Sequence, residues 1–194
     1  MKILCVSDQI DPLVYSGAIK ERFGDVDLVL CAGDLPLDYL DFIMSSLDKP
    51  LYFVFGNHHV EDMKRFRGNG TAWDEGRASG AVHAGSRIRR EGGFIIAGLG
   101  GSMRYNRGEN QFTNFEMSLE ILKLLPGLLF NRIFRGRFLD ILLTHAPPEG
   151  IHDRKDRCHR GFRPFLSFMR IFKPRFLIHG HIHLYNMSDL RTTV

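Results

Sequence analysis

Apolar and polar positions change period several times along this chain. "KILCVS" at the start is strand-like. "YSGAIKERFG" behind it has helical spacing, with Ser16 placed to cap the first turn and Gly24 to stop it. "DLVLCAG" is a second apolar run, a helix is expected through "DYLDFIMSSL", and "PLYFVFG" is a third run. Strands alternating with helices predict βαβ units and a mostly parallel sheet. Residues 67 to 80, "RGNGTAWDEGRASG", are rich in glycine and carry the only tryptophan, Trp73, as expected of a surface loop.

From "AVHAGSRIRREGGFIIAGLGG" onward the pattern shifts to short strands joined by glycine turns, which predicts an antiparallel or mixed section. A helix is expected near residues 114 to 125, then strand "FLDILLTH", helix "PFLSFMRIF" and strand "RFLIHG". The longest greasy stretch, "ILKLLPGLLF", is too short to span a bilayer and is interrupted by Pro126 and Gly127. The final "DLRTTV" reads as the start of a strand with nothing after it. The expectation is therefore one domain over 1–194, with a sheet that lacks its last strands.

Composition adds bounds more than detail. At 194 residues, with 44% apolar and 25% charged, the chain has the make-up of an ordinary globular domain. Its 26 basic against 22 acidic residues give +4, a mild excess that suits an anionic ligand. Arginines cluster in "SRIRRE" and "NRIFRGRF". A solvated face accounts for each cluster taken alone; a phosphate-facing rim and a membrane-surface contact are the alternatives. Three cysteines are too few for a disulfide framework, and Cys5 and Cys31 sit in apolar runs, so buried reduced thiols are expected. With no charged leader ahead of "MKILCVSD", the expected setting is cytoplasmic.

Chemistry concentrates where the strands end. Asp8 closes the first run, Asp34 the second, Asn57, His58 and His59 the third, His145 a later one, and His179, His181 and His183 the last. Carboxyl ends of strands in an open α/β sheet converge on one crevice. One such residue has an ordinary explanation as a helix cap or a bonded core histidine. Five in register would leave too many buried polar groups unpaired without a cation. Carboxylate, amide and imidazole without thiolate suit first-row divalent ions. The set also exceeds what one tetrahedral site takes. Two ions about 3.5–4 Å apart, sharing a carboxylate, serve displacement at phosphorus.

In their order behind apolar strands, "GD" at 33–34, "GNH" at 56–58, His145 and "GHIH" at 180–183 resemble the calcineurin-like metallophosphoesterase superfamily. That resemblance implies an α/β fold, a four-layer α/β/β/α sandwich of two mixed β-sheets flanked by helices, with a dinuclear centre. Carried over by position, Asp34 would bridge the ions, Asn57, His145 and His181 would complete one site, and Asp8 and His183 would belong to the other. His58 would be a non-ligand histidine that protonates the leaving group or steadies the transition state. "GLGGS" at 98–102 is similar to a stretch common in the superfamily, though a tight strand turn explains it equally well.

Two positions depart from the resemblance. The first motif would be Asp-x-His, and here it reads Asp8-Gln9-Ile10. Asp11 or water is the candidate replacement ligand, with a turn at Pro12 the competing explanation for Asp11. An oxygen-richer site would favour Mn²⁺, with Fe, Zn and Ni as other candidates. His59 stands where an acidic residue is usual. His179 is expected to be structural, and His83 and His152 to be surface or loop residues. Substrate contacts are expected from Arg104 and Tyr105 in "SMRYNR" and from His159 and Arg160 in "DRKDRCHRGF", against a solvated-loop reading of equal weight.

The sequence thus points to a metal-dependent phosphoesterase acting on a small phosphorylated substrate, a phosphate mono- or diester, through metal-bound hydroxide. No membrane insertion is expected. The rival is a scaffold or binding protein with a weakened centre, suggested by Ile10 and opposed by the retained His58. A nuclease ranks last, because no aromatic–basic interleaving accompanies the arginines.

Overall fold

Period-2 burial explains the layers. A computed structural model describes residues 1–58, 62–64 and 80–182. Strand β2 (Leu28–Cys31) is buried on both faces: Val29 and Cys31 pack with Leu40 and Ile43 of a helix, while Leu28 and Leu30 face Ile96, Ile141 and Leu143 of a second sheet. That second sheet turns Ile95, Ala97 and Leu142 the other way, onto Leu124, Phe165 and Phe168 of further helices. Three apolar clusters therefore separate four layers, helix, sheet, sheet and helix. This is the expected α/β/β/α sandwich.

The first sheet has the order β1 (Ile3–Val6), β2, β3 (Leu51–Phe53), β4 (Ala81–His83) and is parallel throughout. Helices α1 (Ile19–Phe23) and α2 (Leu37–Leu47) cover it. The second sheet is mixed. In it β5 (Ile88–Glu91) and β6 (Phe94–Leu99) form an antiparallel hairpin, while β9 (Ile141–Thr144) lies parallel to β6 and to β10 (Phe176–Ile178). Its order is β10, β9, β6, β5. Two-residue strands β7 (Ser102–Met103) and β8 (Gln111–Phe112) pair with each other as a separate ribbon. Helices α3 (Asn114–Arg135) and α4 (Arg163–Phe172) form the outer layer on this side.

Three local expectations are corrected. Ser16 does not cap α1, which starts at Ile19 with Ala18 at its N-cap; the Ser16 hydroxyl donates to the Leu13 carbonyl instead. Helix α3 does not stop near 125 but runs 22 residues through Pro126. Its start is fixed by a capping box between Thr113 and Glu116, and Met117, Leu124 and Leu128 anchor its inner face. The bond Pro126 forfeits is to the carbonyl of Leu122, a residue on the exposed side of the helix. Cys5 is exposed, because β1 ends the sheet order and Cys5 points away from the face on which Leu4 and Val6 meet the helices. Cys31 is buried as expected, and burial pushes its thiol up to about 12. The glycine-rich segment 67–79, the tail "DLRTTV", His59 and His183 lie outside the described residues. Among the described residues no helix is long and apolar enough to cross a membrane.

Candidate metal centre

The carboxyl ends of β1, β2, β3, β9 and β10 deliver polar side chains to one crevice. His145 follows β9 directly and is fully buried. Its Nδ1 donates to the Ala32 carbonyl at 2.8 Å, which fixes the ring and turns Nε2 toward Asp34 Oδ2 at 3.2 Å and Asn57 Oδ1 at 3.3 Å. Asn57 presents its oxygen inward because its amide nitrogen donates to the Tyr105 hydroxyl at 3.2 Å. Asp34 is held through its other oxygen, Oδ1, which accepts the backbone N–H of His58 at 2.9 Å. His181 stacks edge-on to His145 with ring centroids 4.8 Å apart, and its Nε2 donates to the Cys158 carbonyl at 2.5 Å. Ligand atoms of Asp34, His145 and His181 all lie within 4.8 Å of one another.

Close packing explains the glycine in each motif. A Cβ at Gly56 would collide with Asp34 Oδ1, and one at Gly33 would come within 2.6 Å of His145 Nδ1. A Cβ at Gly180 would come within 2.5 Å of Asp8 Oδ2. Asp8, Asp34 and His181 also adopt left-handed backbone, with φ of 63°, 54° and 67°. Each such residue costs on the order of 1–3 kcal/mol and persists only where its surroundings over-determine it. Three such residues meet at the crevice, while Asp48, Ser86 and Lys173 adopt the same backbone elsewhere.

Electrostatics agree with the geometry. Burial alone would raise the Asp34 carboxyl, but the hydrogen bond and charge of His145 and the His58 N–H overcome it and bring the group down to about 2. His145 is raised: burial opposes its charge, yet the hydrogen bond and charge of Asp34, with Asp8 behind it, prevail. His181 is lowered to about 4 by burial and by His145, so it is neutral near pH 7. An ionised carboxylate, an amide oxygen and imidazoles converging with their other polar atoms already anchored form a cation's donor set. The residues present fit a divalent metal ion.

The remaining expected residues divide. Asp8 sits beside the group, accepting the His181 backbone N–H with both oxygens at 2.9 Å. His58 projects outward, its side chain 66% exposed and its Nε2 3.9 Å from Asp34 Oδ2. Tyr105 reaches the crevice through Asn57, and the His159 ring lies 5.4 Å from that of His181 while its Nδ1 meets Asp156 at 2.8 Å. Arg104 and Arg160 are turned elsewhere: Arg104 binds Glu116 at 2.9 Å at the start of α3, and Arg160 binds Glu149 at 2.7 Å. Ile10 is exposed, and Asp11 Oδ1 accepts the Leu13 N–H at 2.7 Å in a local turn. His179 pairs with His152 at 3.1 Å, and His83 packs beside Phe53 and Phe55. Asn110 is a residue that the sequence does not single out; its amide donates to the carbonyls of Phe55 and Gly56, at 3.1 and 2.6 Å, and so holds the loop that carries Asn57. Only an asparagine in a turn-like "GENQ" hints at it.

Comparison with curated proteins finds no match. A crystal structure of TT1561 of Thermus thermophilus has a similar fold, with a TM-score of 0.63 at 13% identity over 91% of this chain and 80% of that one. The profile of the family described as calcineurin-like phosphoesterase matches residues 1–185, nearly the whole sequence and every segment that feeds the crevice. By that match the chain belongs to the calcineurin-like phosphoesterase family, whose members bind divalent metals.

Proposed function

We propose that this chain is a metal-dependent phosphoesterase hydrolysing a small phosphate mono- or diester. The observation that supports it most is the meeting of Asp34, Asn57 and His145 within 3.2–3.3 Å, from three strands far apart in sequence. In this reading Asp34, Asn57, His145 and His181 hold one ion, and Asp8, Asp34 and His183 hold a second, with Mn²⁺ the preferred metal. The chemistry contributed by divalent cations when bound is charge neutralisation at the phosphate oxygens and acidification of water. The protein's own part is positional. Ala32 and Tyr105 orient His145 and Asn57, and the His58 N–H fixes Asp34. In this reading His58, whose exposed ring lies 3.9 Å from Asp34 Oδ2, hands a proton to the departing alcohol oxygen.

One observation favours a second reading. Ile10 offers no ligand and Asp11 is engaged by Leu13, so among the described residues the Asp8 side of the crevice is lightly furnished, as in a binding protein with a weakened centre. A single assay separates the two. Purified protein with Mn²⁺ is compared with His58→Ala and Asn57→Ala on p-nitrophenyl phosphate and its bis-ester. A fall of about 10²-fold or more in His58→Ala supports the enzyme. Equal background rates for all three proteins would leave the scaffold.

A further inference from the structure

Helix α3 carries two apolar faces, and among the described residues only one is covered. Met117, Leu124 and Leu128 are buried against the second sheet. On the opposite side Phe115, Leu119, Leu122, Leu129, Ile133 and Phe134 are all exposed, Phe115 and Ile133 at 73%. Their offsets of 0, 4, 7, 14, 18 and 19 residues place them on one stripe, with Pro126 in its middle. From Phe115 to Phe134 that stripe is about 29 Å long. An exposed apolar stripe of this extent marks an interaction site.

Charge identifies the occupant. Of the three basic residues on the helix, Lys123 is paired with Glu120, and Arg137 just beyond it is paired with Asp140; Arg132 and Arg135, near the helix end, have no carboxylate partner among the described residues. The helix has two acidic residues, and both are engaged: Glu116 holds Arg104 and the Thr113 N–H, and Glu120 holds Ser86 and Lys123. A second copy would therefore bring the same basic end and no unengaged helix carboxylate to meet it. We propose that the outer face of α3 docks on an anionic lipid surface, lying in the plane of the interface. Phenylalanine and leucine enter the headgroup boundary and the arginines meet anionic headgroups, as in amphipathic interfacial helices. The arginine cluster "NRIFRGRF" and the greasy run "ILKLLPGLLF" become two parts of one device. The inference is independent of whether the crevice is catalytic.

The test is flotation of the purified chain with vesicles of phosphatidylcholine alone or with one third phosphatidylglycerol, at low and high salt. The wild type is expected to float with the anionic vesicles and to be released by salt, since surface attraction of this kind is screened. Phe115→Asp and Ile133→Asp, made separately at exposed positions, are each expected to weaken binding at least about tenfold, with unchanged circular dichroism, because each sets an anion in the contact face. A wild type that stays unbound with both vesicle types would overturn the proposal. So would a concentration-dependent dimer that Ile133→Asp dissolves, without vesicle binding; the face would then belong to a second copy.

Discussion

Around Asp34 the inward side chains each have a second anchor, whereas beside Asp8, among the described residues, Ile10 faces solvent and Asp11 turns back on its own loop. Asp34 is held by the His58 N–H, Asn57 by Tyr105, His145 by Ala32 and His181 by Cys158. On the other side Ile10 is exposed and Asp11 closes its own turn on Leu13. The Asp8 carboxylate is held through the His181 backbone, with both oxygens on one N–H. A ligand whose free atom is fixed in advance loses little freedom on binding a cation; one left to find its geometry loses more. For the proposed two-ion centre, the contrast predicts unequal positions, one pre-arranged around Asp34 and one less so beside Asp8.

Substitutions can break that contrast or sharpen it. Asp34→Asn removes the carboxylate common to both sides, and divalent-metal affinity is expected to fall by more than about 100-fold, beyond the usual loss from outer-shell partners. Isothermal titration with Mn²⁺ reads it. Gly56→Ala comes next: its methyl group would meet Asp34 Oδ1 and sit 2.7 Å from His145 Cε1. A destabilisation of about 1–3 kcal/mol is expected from such overpacking, with loss of the metal-induced rise in Tm. Tyr105→Phe frees the Asn57 amide without opening a cavity, so a weakening of about tenfold with unchanged melting of the metal-free protein is expected. The smallest effect is a gain. Ile10→His should tighten a second equivalent of metal by up to about tenfold and leave the first unchanged, if the light side is one imidazole short.

Much of this arrangement was legible because it follows from the chain's periodicity. Apolar runs ended where strands end, and the polar residue just past each run, from Asp8 to His181, lay at the carboxyl edge of the sheets. The layer order followed as well, since β2 and β9 are apolar at every position that must face a second layer. The anchors were not legible. Ala32 and Cys158 act through carbonyls, which every residue has, and Asn110 acts from a turn whose partner loop is over 50 residues away. Helix α3 was foreshortened because proline in mid-helix usually ends it, and nothing local shows that Pro126 and Leu122 lie on the exposed side. Arg104 drew attention by its neighbourhood in "SMRYNR", but a capping-box glutamate 12 residues on competes for it.

The central claim is that Asp34, Asn57, His145 and His181 together hold a divalent cation. Mn²⁺ titration of wild type and Asn57→Ala, followed calorimetrically at one pH, tests it most directly. Asn57 lies on a loop end, so the variant should keep its fold, and circular dichroism checks that. Binding at least about tenfold weaker in Asn57→Ala is the expected outcome. Equal affinity in two equally folded proteins would contradict the claim.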